Sequence, residues 1–427
     1  MDPKLAVRDA LERARADTEA LLAPLSDEEL AEQVSPLQSP LVWDFAHVAY
    51  FEELWVLRKV LGRPALAEEH DELYDAFRHA RGERGGLPIL RPGAARAYAA
   101  DVRGRVLAAL DEVELDPFDP LLRDGFVFGL VLQHELQHQE TMLQTLALRT
   151  DGEYPLPPAE APEPTGSAPD EVLVPAGAFL LGAADEPWAY DNELVPHEVE
   201  LPAFHLDRTP VSNAAFLAFM EDRGYDAEAL WSEQGWAWRQ AEGIEAPLHW
   251  ERGAEGWERV RFGRREPLPL AEAVQHVSWY EADAYARWAG KRLPTEAEWE
   301  RAASWDMRRG KSRYPWGREW TGFEANLGRR RFAPAPAGAF EAGASPAGCL
   351  QLTGDVWEWT SSHFLPYPGF VAFPYPEYSE VFFGERYRVL RGGSWATDPL
   401  VARATFRNWD YPQRRQIFAG FRCARDA

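Results

Sequence analysis

Five shortages in this chain each argue against a class of protein. Two cysteines, Cys349 and Cys423, occur in 427 residues; they cannot make a disulfide framework, and a reduced interior is expected. Positive charge is scarce, with 45 Lys and Arg against 69 Asp and Glu and a formal net charge of −24. Such a chain repels phosphate backbones and anionic lipid, so neither nucleic acid nor a membrane is an expected partner. No apolar run approaches the ~20 residues of a membrane span. The opening MDPKLAVRDALERARADTEALL has an early acidic residue and no apolar stretch; no secretory leader is expected, and the predicted location is cytoplasmic. Finally, no strand–GxGxxG–helix pattern is present, which argues against a dinucleotide cofactor.

What the chain does have is 18 Trp, 34 Pro and 32 Gly, the makings of large cores interrupted by many turns. Its length predicts two or three domains. The first 150 residues read as helix. Residues 4–24 carry Leu5, Leu11, Leu21 and Leu22 among charges, the mark of one apolar face. Ser39-Pro40 predicts a capped helix start, with Gly62 as its stop. A third helix is expected over 93–114, and a fourth from Asp119-Pro120 to about Asp151-Gly152. Together they predict a four-helix bundle, with 63–92 too long for a plain connection. The Pro-rich stretch 155–171 reads as a linker between a bundle at 1–154 and a second domain at 172–427. There, strand-like runs (VLVPAGAFLLG, HEVELPAFHLD) alternate with two helices near 278–290 and 295–303, predicting an α+β domain.

The string LQHELQHQETML carries the sharpest chemical signal. His134 and His138, four apart, lie ~40° apart on one helical face, where two imidazoles can share a metal ion. His47, in WDFAHVAYFEELW, is either a core histidine or the third ligand from a facing helix. Three imidazoles with open positions suit divalent iron, copper or zinc. Arg81 and Arg84, three apart, read either as a carboxylate clamp or as a solvated basic turn. Near the C-terminus, FRNWDYPQRRQIFAGFR places Asn408, Trp409, Asp410 and Arg414 together. The indole of Trp409 would suit a trimethylammonium group. Trp43, one turn before His47, is either a wall of the same site or core.

The segments SPLVWDFAH, HELQHQETMLQ, GDVWEWTSS, YRVLRGGSW and RNWDYPQRRQIFAGFR resemble the ergothioneine-pathway sulfoxide synthases over roughly residues 4–426. The resemblance implies a multidomain α and α+β protein. An N-terminal DinB-like four-helix bundle precedes a C-terminal domain of the formylglycine-generating-enzyme type, with a C-type-lectin-like fold. TPVSNAAF, VSWYEADAYARWAGKRLPTEAEWERAA, YPWG and ANLG support the second assignment.

By that resemblance the enzyme is a monomer that uses non-haem Fe(II) and O₂ to join a thiol to C2 of Nα-trimethylhistidine (hercynine) and yields a sulfoxide. His47, His134 and His138 match the iron ligands. Arg81, Arg84, Asp410 and Arg414 match the residues that bind γ-glutamylcysteine in the branch using that dipeptide. Trp43, Gln137, Asn408 and Trp409 fall on hercynine-binding positions. Tyr375 matches the family's proton-donating tyrosine, with Tyr378 the alternative on the same loop. The alternatives are free cysteine or a selenium donor, an O₂-independent metal-dependent thiol transferase, and a non-catalytic lectin-like module. The segment RGGSWATDP lacks the reactive cysteines of formylglycine-generating enzymes, so the second domain is expected to have lost that activity and to serve as a substrate-binding lid.

Overall fold

Residues 3–157, 162, 170–184, 186–308 and 310–427 are described by a computed structural model. The chain divides into two units, Met1–Pro155 and Leu156–Ala427; most of the expected linker lies outside the described residues. Among these, no helix is long and apolar enough to cross a membrane.

The first unit is helical: α1 (Pro3–Leu22), α2 (Asp27–Ala31), α3 (Leu41–Glu52), α4 (His70–Leu73), α5 (Pro92–Glu112) and α6 (Phe126–Ala147). The long helices α1, α3, α5 and α6 form the bundle. All twelve residues of α3 are buried, which explains why its sequence is nearly apolar all round. Past Glu52 the chain continues in wider π-type winding over Glu53–Val60, and Gly62, at φ 63°, ends the run in the left-handed region. Two expected starts move. The cap of α3 is Pro40 and not Ser39; the Ser39 hydroxyl instead accepts from Arg84 Nη1 at 2.8 Å. Asp119-Pro120 opens a turn in which Asp119 Oδ1 accepts from the Leu121 amide at 2.8 Å. α6 begins seven residues after Asp119, behind left-handed Gly125, because the local side-chain bond competes with helix there.

Four buried charges tie the bundle together. Arg15 Nε donates to Glu135 Oε1 at 2.8 Å and Arg15 Nη2 to Glu52 Oε2 at 3.0 Å. Arg103 Nε donates to Glu52 Oε1 at 2.8 Å and Arg103 Nη2 to Glu135 Oε2 at 2.5 Å. Two positive and two negative groups from α1, α3, α5 and α6 thus cancel in the dry interior, the condition under which buried charges are tolerated.

Among its described residues the second unit holds four α-helices: α7 (Asn213–Glu221), α8 (Glu233–Glu242), α9 (Trp279–Trp288) and α10 (Glu296–Ser304). Each starts at a Ser or Thr whose hydroxyl accepts from the third helical residue's amide; Ser278 and Thr295 add the reciprocal glutamate. The sequence reading missed α7 and α8, which are short and flanked by turns. The strand-like runs split at Pro175 and Pro202 into β1 (Glu171–Val174), β2 (Gly177–Leu181), β3 (His197–Leu201) and β4 (Phe204–Asp207). A meander of β5 (Trp250–Arg252), β6 (Trp257–Arg261) and β7 (Arg264–Pro267) follows, then the two-residue pair β8 (Trp305–Asp306) and β9 (Gly310–Lys311). The last strands are β10 (Trp357–Phe364), β11 (Gly384–Arg391), β12 (Asn408–Asp410), β13 (Ala419–Gly420) and β14 (Ala424–Asp426). The strands pair in the orders β1-β4-β14, β12-β11-β10-β13, β2-β3, β5-β6-β7 and β8-β9. Buried ion pairs stand in for regular structure in this loop-rich unit: Arg391 with Glu296 and Glu300, Arg407 with Glu296, Arg403 with Glu193, and Arg422 with Glu358.

Candidate metal centre

α3 and α6 pack side by side in the bundle, and their facing histidines meet. His47, His134 and His138 each offer one ring nitrogen, all within 4.8 Å of one another. His47 Nε2 lies 3.2 Å from His134 Nε2. A metal with bonds of ~2.1 Å and tetrahedral or octahedral angles separates neighbouring ligand nitrogens by about 3.0–3.4 Å; the His47–His134 pair stands at that spacing and the His138 nitrogen lies within 4.8 Å of both, a group that could hold a metal ion.

The rings are held by what surrounds them. His47 Nδ1 donates to the Tyr74 carbonyl at 2.7 Å, which places the proton on Nδ1 and the lone pair on Nε2. The Trp43 indole stacks on His47 at 4.7 Å and 13° between planes, and Phe51 stacks on His134 at 3.8 Å and 14°. Burial, reinforced by His138, holds the His47 imidazole well below its ordinary pKa; burial does the same at His134, with His138 and His47 adding to it. Both rings are therefore neutral, the form in which imidazole binds metal.

The string His134-Glu135-Leu136-Gln137-His138 also satisfies the H-E-x-x-H pattern of zinc peptidases, in which the glutamate acts as general base. Here Glu135 is fully buried and its carboxylate is committed to Arg15, Arg103 and Thr18. It is a structural group. Gln137 is half-buried on the histidine side of α6, with Nε2 donating to the Gln133 carbonyl at 3.2 Å.

The two arginines part company. They lie on a 3₁₀ turn, Arg81–Gly86, whose three residues per turn put both on one side. Arg81 is exposed, with only long contacts from Nη1 to the Leu37 carbonyl at 3.4 Å and Gln38 Oε1 at 3.5 Å. Arg84 is 5% exposed. It donates to Ser39 Oγ and the Ala76 carbonyl, each at 2.8 Å, and to the His79 carbonyl at 3.3 Å. Its guanidinium sits 3.7 Å over the Trp43 ring, and burial pushes its pKa down to about 10. Trp43 is itself buried, and its Nε1 donates to the Leu73 carbonyl at 2.8 Å. Arg84, Trp43 and His47 thus form one stacked column.

In the second unit, Asn408, Trp409 and Asp410 make up β12 at the edge of its sheet, with Trp409 paired to Val389 and Asp410 to Arg388. Strand alternation sets Asn408 and Asp410 on one face and Trp409 on the other. Trp409 stacks on Phe364 at 4.0 Å and 9°. Asp410 Oδ1 accepts from the Tyr411 amide at 2.8 Å and lies 3.6 Å from Arg414 Nε. Tyr375 precedes the turn Pro376–Tyr378. Tyr378 stacks on Tyr190 at 4.2 Å, and burial raises its phenol well above the ordinary value. That loop is moored through Ser379, whose hydroxyl meets Asp191 and accepts from Asn192 Nδ2 at 2.9 Å. Cys349 and Cys423 are fully buried; burial pushes the Cys349 thiol up to about 11 and that of Cys423 well above its usual value, the opposite of a reactive thiolate.

Sequence reasoning passed over Asp44, Phe51 and Asp191. Spacing held a signal for the first two: Asp44 and Phe51 stand three before and four after His47, the positions that share its helical face. Asp191 left no such local trace, since its partners Phe373 and Ser379 lie more than 180 positions away.

Comparison with known proteins agrees with the two units. Residues 10–142 match the DinB superfamily, and residues 157–427 match the sulfatase-modifying factor enzyme 1-like domain. Along its whole length the chain is 52% identical over 425 residues to the hercynine oxygenase of Mycobacterium tuberculosis, covering 97% of each chain. It is 50% identical over 435 residues to that of Mycolicibacterium smegmatis, covering 98% of each. The formylglycine-generating enzyme of Streptomyces coelicolor is 35% identical over 304 residues, which is 63% of this chain and 95% of that one. Likeness of this degree over nearly all of both chains leaves one conclusion: the protein is an enzyme of the hercynine oxygenase family.

Proposed function

We propose that this enzyme joins γ-glutamylcysteine to C2 of the imidazole of hercynine and oxidises the sulfur, consuming O₂ with Fe(II) as its metal. The observation that carries the reading is the convergence of three imidazoles, one buried and two half-buried, two of them held neutral by their surroundings, with no thiolate or carboxylate among the ligands. The balance is closed. Thiol S–H and imidazole C2–H bonds break, C–S and S–O bonds form, and one O₂ supplies the sulfoxide oxygen and one water. Four electrons leave the two substrates, so no further reductant is needed.

Bound by His47, His134 and His138, Fe(II) supplies the redox chemistry that O₂ requires and that zinc lacks. The chain's own residues do the rest. Arg81 has free donor capacity for a carboxylate of the dipeptide, and Arg414 with Asp410 offers a matched pair for its α-amino acid end. Arg84, with its donors largely spent on its own loop, supports this subsite by holding Trp43. Gln137 and Asn408 offer amides to hercynine, and the Trp409 indole offers its face to the trimethylammonium group. Tyr375 Oη donates the proton that reduced oxygen takes up, the role of a general acid.

The test is incubation of the iron-loaded protein with hercynine and either γ-glutamylcysteine or cysteine, with and without O₂, read by mass spectrometry. The expected product is the γ-glutamyl sulfoxide, formed only in air. Product formed without O₂ would replace the oxygenase reading with a transferase, and a preference for cysteine in kcat/KM would reassign the thiol donor.

A further inference from the structure

We propose that Asp44 is a positioning residue that fixes the ring of His138 toward the ion held by the three histidines. This rests on the reading of that trio as a metal centre. Asp44 lies three residues before His47 on α3, so one helix delivers both a ligand and, to the ligand of another helix, an orienting carboxylate. Asp44 Oδ1 is 3.2 Å from His138 Nδ1. With Asp44 on the Nδ1 side, Nε2 of His138 is the nitrogen left for the ion. At His47 the same nitrogen is held by a hydrogen bond, Nδ1 donating to the Tyr74 carbonyl; at His138 the partner is a carboxylate at ion-pair distance, without hydrogen-bond geometry. Pairing of the non-ligating nitrogen fixes tautomer and ring orientation, and its loss costs metal affinity.

Burial makes the case independently. Asp44 is 1% exposed, in a helix with no exposed residue, and its Oδ2 has no hydrogen-bond partner among the described residues. Placing a carboxylate there is costly unless something needs it. The alternative is that Asp44 serves only as an acidic residue in the first turn of α3, where the helix dipole favours it.

Titration of the metal-free full-length protein with Co(II), followed by its visible absorbance under chelator competition, separates the two. Asp44→Asn, which keeps volume and one acceptor, is expected to weaken Co(II) binding about 10–100-fold. In a His138→Ala background the same substitution should change affinity less than about threefold, because the ring it orients is gone. Wild-type affinity in Asp44→Asn, or equal weakening in both backgrounds, overturns the proposal and leaves the metal centre standing. Failure of the wild-type protein to bind Co(II) overturns both. Should Asp44→Asn not fold, Asp44→Ser read against the same two backgrounds gives the same decision.

Discussion

Arg15 and Glu135 stand 120 positions apart in the chain and meet inside the bundle at 2.8 Å, both with side chains closed to solvent. Glu135 is the immediate neighbour of His134, so the residue that anchors α6 to α1 sits beside a metal ligand. Burial would raise its carboxyl pKa; Arg15 and Arg103 outweigh burial and hold it at about 2. A carboxylate depressed in the fold contributes stability above its unfolded pKa and loses it as pH falls through the folded one.

Glu135→Ala is therefore expected to leave two buried arginines with one partner and to cost about 3–5 kcal/mol, measured by urea unfolding at neutral pH. The difference between wild type and variant should shrink as pH falls from about 4.5 toward 2, the window set by the depressed carboxyl. A constant difference across that range would show that the cost comes from the cavity and not the charge.

Arg81 and Arg84 should respond differently to alanine. Arg84→Ala removes buried charged hydrogen bonds and uncovers Trp43, and is expected to cost about 1.5–3 kcal/mol of stability. Arg81→Ala should stay within about 0.5 kcal/mol of wild type and raise KM for the dipeptide about tenfold or more, the loss of one charged contact. Thermal melts beside initial-rate kinetics read both. A stability loss at Arg81 with unchanged KM would return it to the solvated turn.

The two loop tyrosines are distinguished by kcat. Tyr375→Phe should lower kcat by about 10²-fold or more, the usual contribution of a general acid, with melting temperature unchanged. Tyr378→Phe, at a ring stacked on Tyr190, should keep kcat within about threefold. The reverse pattern would move the proton donor to Tyr378.

Both thiols should be silent. In the native protein an aromatic disulfide reagent should label neither Cys349 nor Cys423, and after unfolding it should label both; Cys423→Ser should retain turnover and iron content. Loss of turnover with iron retained would mean that the second unit keeps a thiol chemistry of its own.

Much of this was legible locally. The spacing of His134 and His138 requires only a helix to bring two imidazoles to one face, and the capping boxes at Ser278 and Thr295 close within a single turn. The starts at Ser39 and Asp119 misled because a Ser or Asp before proline serves a turn or a distant arginine as readily as a helix. The same limit applies to Arg81 and Arg84: a 3₁₀ turn aligns them as spacing predicts, but burial of one and not the other depends on where Trp43 and Ser39 lie.

By itself, then, the sequence determined the helices of the bundle, the alternating strands and the side of α6 on which two histidines stand, since these follow from interactions within a few residues. Only the tertiary structure decided that His47 meets them, that Glu135 turns away to Arg15, and that Asp44 reaches His138. Each of those pairings joins residues tens of positions apart, and the packing of whole helices, not any local preference, selects the partner.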